Sequence, residues 1–232
     1  MSSTTAQRSG DSNAPRSPRR SLSISRSAAT AGVLLYVLHL SIIYVLTDNV
    51  RSLEHRVLDV ERENARLTER LEVLNVVQHY QRGFSRAEVA HIVQVIDLES
   101  DRFGIDRLLI LAVILTESEF RRFQVSNKGA MGLMQMRPFV ARDLALRRGI
   151  EWNEEVGLFD PSLNVQLGTT YLFELILQFN NLTDALTAYA YGETRIRKRR
   201  ALGRPTPQNY SRRVLRRYDM LVDEYRTPDT HG

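Results

Sequence analysis

A glutamate at the end of an apolar segment is the first candidate for chemistry in this sequence. Glu117 follows the uninterrupted apolar run of residues 108–115 and the hydroxyl-bearing Thr116. A carboxylate in such a place is costly to bury unless it faces a cleft or stays protonated, and burial raises its pKa toward the range useful for a general acid. The alternative is a helix-terminal glutamate that reaches into solvent, which we expect of Glu119.

A loop rich in glycine and methionine follows this glutamate. Residues 126–136 have the sequence SNKGAMGLMQM, and Pro138 stands two residues further on. Gly129 and Gly132 permit a close approach of one backbone segment to another or to a ligand. The methionines on their own would indicate packing in the core. At this point the loop is consistent with either a ligand-binding role or a purely structural one.

Four short segments form an ordered series in the C-terminal part of the chain. They are residues 111–120 (LAVILTESEF), 126–138 (SNKGAMGLMQMRP), 160–172 (DPSLNVQLGTTYL) and 185–192 (ALTAYAYG). In order and spacing they resemble the four motifs of the family 1 lytic transglycosylases, the SLT domain, and the similarity extends over residues 84–226. The resemblance implies an all-α fold like goose-type lysozyme, with a groove for peptidoglycan glycan strands. It also implies cleavage of the β-1,4 bond between N-acetylmuramic acid and N-acetylglucosamine, with formation of 1,6-anhydro ends.

The resemblance also assigns roles to individual residues. Glu117 matches the family's catalytic glutamate, and Ser126 matches the serine that contacts the N-acetyl group of the substrate. Met134 and Gln135 match the Met-Gln pair that lines the groove near the glutamate. Tyr189 matches the tyrosine of the family's Ala-Tyr-Asn motif. These five residues are therefore the predicted catalytic and substrate-binding residues.

Two residues depart from the family's motifs. Ala190 stands where the family has asparagine, and Glu193 stands where it has proline. The first change keeps open the alternative of a non-catalytic peptidoglycan-binding or scaffold protein of a cell-envelope assembly. A hydrolytic muramidase is a second alternative, but ordinary glycosidases need two carboxylates, and no second acid occupies an obvious partner position. One glutamate suffices as both acid and base if the N-acetyl group of the substrate stabilises the cation.

An uncharged segment precedes the region of resemblance. Residues 28–47 carry no formal charge over about the 20 residues that a helix needs to cross a bilayer. A buried helix and a cleaved signal peptide are the alternatives, but residues 46–50 lack the small residues of a cleavage site. Residues 1–27 hold five arginines and one acid, and we expect a disordered tail. The positive-inside rule places this tail in the cytoplasm and the catalytic domain on the periplasmic side of a bacterial inner membrane.

A heptad repeat occupies residues 49–80. Apolar residues recur at alternating spacings of three and four, as at the a and d positions of a coiled coil. Asn64 falls at an a position, where a buried amide favours a two-stranded register, and Arg56 would face Glu61 of a second copy. The pattern predicts a parallel homodimer, and the alternative is a single amphipathic helix packed on the catalytic domain. The seam comprises Val50, Leu53, Val57, Val60, Asn64, Leu67, Leu71 and Leu74.

The remaining chain predicts a helical domain over residues 84–226 and a short tail over 227–232. Ser85 and Glu88 have the spacing of a capping box, and Gly104 should end the helix that they begin. Asp106 should cap the next helix, whose apolar run makes it central and buried. Further helices are predicted over residues 138–148, 162–179, 183–191 and 207–225.

Composition excludes several other functions. The absence of cysteine excludes a thiol nucleophile, and the five histidines lack metal-ligand spacing, so we predict no metal and no cofactor. Residues 1–27 carry four of the net five positive charges, so the charge does not indicate nucleic-acid binding. The basic residues of 195–217 indicate a solvated surface or, alternatively, attraction to anionic polymer or headgroups. We expect Tyr210, Tyr218 and Leu221 to close the core rather than line the groove.

Overall fold

The computed structural model describes residues 26–153 and 157–226, and all regular secondary structure within them is helical. The elements are α1 (Arg26–Tyr80), α2 (Arg86–Phe103), α3 (Arg107–Glu117), α4 (Pro138–Arg147), a 3-10 turn (Gly157–Phe159), α5 (Pro161–Phe179), α6 (Leu182–Tyr191), α7 (Glu193–Ala201) and α8 (Asn209–Tyr225). The all-α prediction is confirmed. The predicted tail at residues 227–232 lies outside the described residues, as does the tail at 1–27 except for its last two residues.

Helix α1 contains both the predicted membrane span and the predicted heptad repeat. It runs for 55 residues without a break, so no change of structure marks the expected boundary near Asp48. Within the described residues, one helix is long and apolar enough to cross a membrane, judged by length and composition, and its apolar window is entirely exposed. The chain divides into two compact units, residues 1–59 and 60–232, and α1 contributes to both.

The C-terminal end of α1 belongs to the second unit and packs on it. Val73, Val76 and Val77 are fully buried in its core. On the same helix, Glu69 pairs with a guanidinium nitrogen of Arg107 at 2.6 Å. This end therefore matches the single packed helix that was the alternative to a coiled coil.

The heptad seam lies mostly on another face of α1. Its apolar positions from 50 to 71 are 49–60% exposed, and Asn64 is exposed as well. Leu74 differs, because it packs against the core of the domain. The structure thus removes Leu74 from the predicted seam and leaves the other seven positions open to solvent.

Helix α3 forms the centre of the domain. All eight residues of 108–115 are buried, as their continuous apolarity predicts. The side chain of Asp106 accepts a hydrogen bond from the Leu108 amide at 2.9 Å and caps this helix. Before it, α2 begins with the capping box of Ser85 and Glu88 and ends at Gly104, whose φ is 64°. These local predictions are confirmed, and they fix where α3 ends.

The C-terminal helices differ from the prediction in one respect. Helices α4, α5 and α6 match the predicted spans within one residue at either end, and α8 begins two residues later than predicted. Helix α7 (Glu193–Ala201) was not predicted, because its sequence is strongly basic and buries a single side chain, Ile196. No apolar periodicity was available to reveal it.

Candidate active site

A groove of about 990 Å³ opens beside the C-terminal end of α3. The loop of residues 118–137 and helices α4 and α5 supply part of its wall, and the junction of α6 with α7 and the start of α8 supply the rest. Four of the five predicted site residues line it, namely Glu117, Ser126, Gln135 and Tyr189. These four residues span 72 positions of the chain, and Tyr210 and Arg213 of α8 join them in the same groove.

Glu117 is the last residue of α3 and is partly buried in the groove wall. Burial raises the pKa of its carboxyl group to about 7, and a hydrogen bond from Tyr210 and the positive charge of Arg213 oppose the rise. The Tyr210 hydroxyl donates to Oε1 at 2.5 Å. A carboxyl group with this pKa exists in both protonation states near neutral pH, as a group that gives and then takes a proton must.

The chain turns sharply directly after Glu117. Glu119 and Phe120 have positive φ angles of 51° and 58°, which end the helix and reverse the direction of the backbone. As a result Phe120 is fully buried and Glu119 is exposed, as predicted for Glu119. The buried Phe120 thus holds the chain directly after Glu117 in the core.

Tyr210 was predicted to close the core and not the groove, and the second half of that prediction is wrong. Its ring is 4% exposed, yet its hydroxyl reaches Glu117 and its side chain lines the groove. Burial and the nearby Glu117 raise the pKa of Tyr210 well above 10, so its hydroxyl stays protonated. Leu221 is buried as expected, and the Tyr218 hydroxyl bonds to Asp106 at 2.7 Å, away from the groove.

The glycine-rich loop is held in place by a buried asparagine that sequence reasoning missed. The amide nitrogen of Asn164 donates to the carbonyls of Met131 and Leu158 at 2.9 and 3.0 Å, and its Oδ1 accepts from the Met134 amide at 2.7 Å. Gly132 lies against it with a φ of 80°, and a Cβ there would stand 2.2 Å from both Asn164 Nδ2 and the Leu158 carbonyl. Asn164 lies within residues 160–172, but nothing in that segment revealed which residues it bonds.

Ser126 closes the near end of the same loop. Its Oγ accepts a hydrogen bond from the Ala130 amide at 3.0 Å, and its own amide donates to the Ala130 carbonyl at 2.9 Å. Both residues line the groove. This local hydrogen bonding fixes the position of the serine hydroxyl relative to the cavity.

Met134 does not line the groove, which corrects the expectation for this residue. Its side chain is fully buried and fills the space opposite Gly168, where a Cβ would lie 2.5 Å from the sulfur. Met136 lines the groove instead. Gln135 does line it, with a φ of 49° and its Nε2 donating to the carbonyls of Gln124 and Gly132 at 2.8 and 3.0 Å.

Tyr189 supports the loop from the opposite side. Its hydroxyl donates to the Met134 carbonyl at 2.7 Å, and its ring lies 5.4 Å from that of Tyr171. The two departures from the family motif, Ala190 and Glu193, also line the groove. The Glu193 carboxylate accepts a hydrogen bond from Gln178 Nε2 at 2.7 Å.

The other carboxylates of the groove are engaged in ion pairs. Arg147 bonds both oxygens of Glu174, at 2.9 and 3.0 Å, and Oδ2 of Asp143 at 2.9 Å. Glu193 pairs with Arg197 at 3.3 Å. In residues 26–153 and 157–226, no group of three or more histidine, aspartate and glutamate side chains is placed to hold a metal ion.

Comparison with known proteins covers this same domain. Residues 94–210 match the family described as the transglycosylase SLT domain. The chain is 31% identical over 137 residues to the membrane-bound lytic murein transglycosylase E of Buchnera aphidicola, covering 54% of this chain and 65% of the relative. It is 42% identical over 76 residues to the membrane-bound lytic murein transglycosylase C of Edwardsiella ictaluri, covering 32% of this chain and 21% of that relative. The chain thus spans less than two thirds of the length of either.

Solved structures share the fold. An inactive mutant of the lytic transglycosylase Slt from Pseudomonas aeruginosa superposes with a TM-score of 0.52 at 26% identity, over 59% of this chain and 24% of that one. The 70 kDa soluble lytic transglycosylase of Escherichia coli superposes with a TM-score of 0.50 at 23% identity, over 56% of this chain and 24% of that one. With the family match over residues 94–210, these similarities lead to one conclusion: the chain belongs to the transglycosylase SLT domain family.

Proposed function

We propose that this chain is a peptidoglycan lytic transglycosylase with Glu117 as its single catalytic acid and base. It cleaves the β-1,4 bond between N-acetylmuramic acid and N-acetylglucosamine and leaves a 1,6-anhydro-N-acetylmuramic acid end. The observation that carries the proposal is one carboxyl group, with a pKa raised to about 7, in the wall of an open groove. The names of the relatives, which are lytic murein transglycosylases, support the same reaction.

Glu117 supplies the proton for the first step. With a pKa of about 7, a large share of the carboxyl group is protonated at neutral pH. Its hydrogen passes to the glycosidic oxygen as the bond from that oxygen to C1 breaks. N-acetylglucosamine leaves as a neutral alcohol, and the carbonyl oxygen of the muramyl N-acetyl group stabilises the positive charge at C1. The Tyr210 hydroxyl then donates its hydrogen bond to a full carboxylate.

The same carboxylate acts as the base in the second step. It removes the proton from the C6 hydroxyl of the muramyl residue, and that oxygen attacks C1 to close the anhydro ring. Glu117 is thereby returned to its protonated form. No water is consumed, and one bond to C1 replaces another, so the reaction needs neither a second carboxylate nor a cofactor.

The ion pairs of the groove favour this reaction over hydrolysis. A hydrolytic glycosidase places a second free carboxylate opposite the acid, as a nucleophile or as a base for water. Here Asp143 and Glu174 share Arg147, and Glu193 pairs with Arg197. Burial raises the pKa of Glu117, which supports its role as the single catalyst.

We assign substrate binding to three further residues of the groove. Ser126 offers its hydroxyl to the N-acetyl group, from a position set by the bond to Ala130. Gln135 and Tyr189 complete the wall near Glu117. Met134 contributes indirectly, since its carbonyl accepts the hydrogen bond that holds Tyr189.

Digestion of purified sacculi tests the reaction. The full-length protein in detergent should release fragments with 1,6-anhydro ends, identified by mass spectrometry, and Glu117→Gln should release none. Glu119→Gln is the matched control, because Glu119 is an exposed glutamate two residues away. Reducing ends would indicate a hydrolase, and full activity of Glu117→Gln in a folded protein would refute the assignment.

We also propose that residues 28–47 cross the bacterial inner membrane once, with the N-terminus in the cytoplasm and the domain in the periplasm. Support comes from the exposed apolar window of α1, from the names of the membrane-bound relatives, and from the arginines that precede the span. A phosphatase that is active only in the periplasm, fused after residue 84, should be active. An inactive fusion that is present in the membrane fraction would contradict this topology.

A parallel homodimer along α1 is a further part of the proposal. The exposed seam from Val50 to Leu71 presents apolar side chains at a and d positions, while the Val73 face of the same helix is already buried in its own domain. Because the chain has no cysteine, Val57→Cys at an a position should form a disulfide between two copies in membranes. His55→Cys, at an outward f position, is the control. Equal cross-linking of the two variants would contradict a dimer through this seam.

A further inference from the structure

The groove contains four basic side chains that form no ion pair with any residue that the structure describes. They are Lys128, Arg137, Arg195 and Arg213. Within the described ranges 26–153 and 157–226, salt bridges of the groove involve Arg147 and Arg197 and none of these four. Arg213 is close enough to Glu117 to lower the pKa of that carboxyl group, but with a pKa of about 7 Glu117 is negatively charged in only part of the molecules near neutral pH.

The charges of the groove therefore do not balance. Among the described residues, its acidic side chains other than Glu117 are Asp143 and Glu174, which share Arg147, and Glu193, which pairs with Arg197. The four further cations outnumber the negative charge that these pairs and Glu117 leave over. The four unpaired cations come from separate elements: the loop before α4, the residue that precedes α4, and helices α7 and α8. Positive charge is thus distributed around the groove and is not confined to one basic helix.

Aromatic rings hold three of these cations beside the cavity. The guanidinium of Arg137 lies 5.7 Å from the centre of the Phe139 ring. Arg195 lies 5.8 Å from the ring of Tyr191, and Arg213 lies 5.8 Å from that of Tyr210. Contact with a ring face orients a guanidinium without neutralising it. The arrangement leaves the hydrogen-bond donors of these arginines available for an anion.

We propose that these four cations bind carboxylates carried by the muramyl residues of the substrate, so that the groove selects anionic muramyl strands over neutral glycans. The inference rests on the proposed function and specifies its substrate class. Polymers of N-acetylglucosamine carry no charge, whereas a muramyl residue carries a lactyl group that ends either in a free carboxylate or in an acidic peptide. Guanidinium groups suit carboxylates because they donate two parallel hydrogen bonds.

Binding to a catalytically inactive variant tests this selectivity separately from turnover. The full-length Glu117→Gln protein in detergent is titrated with four soluble glycans: peptide-bearing strands, strands stripped of peptide, stripped strands with amidated lactyl groups, and chitin oligosaccharides. The expected result is tighter binding of the two carboxylate-bearing strands, with a difference that shrinks as salt rises. Comparison of the first two identifies the peptide or the lactyl group as the source of the carboxylate. Equal affinity for carboxylate-bearing and amidated strands would overturn the proposal.

Charge-matched variants locate the effect in the groove. Arg137→Gln with Arg195→Gln should weaken binding of carboxylate-bearing strands by about 2- to 30-fold, the range for two exposed ion pairs. Binding of amidated strands should change little. Arg82→Gln with Arg216→Gln is the control, because both arginines are exposed and neither lines the groove. An equal loss in the two double variants would also overturn the proposal.

Separate controls are needed for folding and for catalysis. Lys128 lies on an exposed part of the loop, and Lys128→Gln should also weaken binding of carboxylate-bearing strands, by less than the double variant. Thermal unfolding checks that each variant is folded. If sacculi yield anhydro ends but carboxylate-bearing and amidated strands bind equally, the charge selectivity is wrong and the proposed reaction stands. Selective binding without anhydro ends would support the charge selectivity and contradict the proposed reaction.

Discussion

Removal of the Tyr210 hydroxyl tests how the structure sets the pKa of Glu117, the proposed catalytic acid. That hydroxyl donates to Glu117 Oε1 at 2.5 Å and opposes the rise that burial causes. Tyr210→Phe keeps the buried ring and deletes only the donor. The variant therefore stabilises the protonated carboxyl relative to the carboxylate, and the pKa of Glu117 should rise further above its value of about 7.

The size of the change follows from the strength of the hydrogen bond. A hydrogen bond to a charged group is worth about 1.5–3 kcal/mol, and one pH unit corresponds to about 1.36 kcal/mol. The pKa of Glu117 should therefore rise by about one to two pH units in Tyr210→Phe. Because the first step needs the protonated acid, the alkaline limb of kcat/KM should move upward by the same amount.

The assay is the pH dependence of kcat/KM for release of anhydro-muropeptides from labelled sacculi. Tyr218→Phe is the matched control, since its hydroxyl bonds Asp106 at 2.7 Å and lies outside the groove. This control should leave the alkaline limb in place. A folded Tyr210→Phe protein with an unchanged alkaline limb would refute the claim that this hydroxyl tunes Glu117.

Three further outcomes follow from the same contacts. Glu117→Gln removes a group whose pKa in the folded protein, about 7, lies above the ordinary 4.5. The stability that this group contributes to the wild type is complete below pH 4.5 and is lost as the pH rises through about 7. The variant should therefore gain stability relative to the wild type as the pH rises: the difference in free energy of unfolding, measured by thermal melting in detergent, should be up to about 3 kcal/mol larger at pH about 8 than at pH about 4. An unchanged difference between the two pH values would contradict this. Gly132→Ala should be more destabilising than Gly83→Ala by about 1–3 kcal/mol, because both glycines have a φ of 80° but only the first would collide with Asn164 and the Leu158 carbonyl. Asn164→Leu should cost several kcal/mol and lower kcat, because it removes three hydrogen bonds to the backbone and takes the side-chain acceptor away from the buried Met134 amide, while the Met131 carbonyl keeps the Met136 amide as a donor. A normal melting temperature in either variant would show that the loop is held by other contacts.

Local chemistry accounts for the parts of the fold that the sequence predicts. A capping box, a left-handed glycine and a capping aspartate act within a few residues, so Ser85, Gly104 and Asp106 reveal the ends of α2 and α3. Continuous apolarity over residues 108–115 has one physical outcome, burial on every side, and it predicts the central helix. These signals place Glu117 at the end of a buried helix before any tertiary contact is known.

Signals that depend on tertiary contacts are the ones that sequence reasoning missed. Tyr210 and Glu117 are 93 residues apart, and helical spacing places the tyrosine ring in the core without showing where its hydroxyl points. Met134 looks like a groove residue beside Gln135, but its side chain turns inward opposite Gly168. Helix α7 buries only Ile196, so nothing in its pattern distinguishes it from a basic loop.

The changed residues at the groove wall bear on whether the domain is catalytic. Ala190 and Glu193 line the groove in which we propose that a glycan strand binds, yet neither is among the groups that set the pKa of Glu117. Burial, Tyr210 and Arg213 set that pKa, and the Tyr189 hydroxyl still bonds the Met134 carbonyl despite the alanine that follows it. A domain that only bound peptidoglycan would have no need of a buried, hydrogen-bonded carboxyl group, which costs stability above its pKa. Its presence supports catalysis, and we expect Ala190 and Glu193 to change substrate affinity and selectivity rather than the pKa of Glu117.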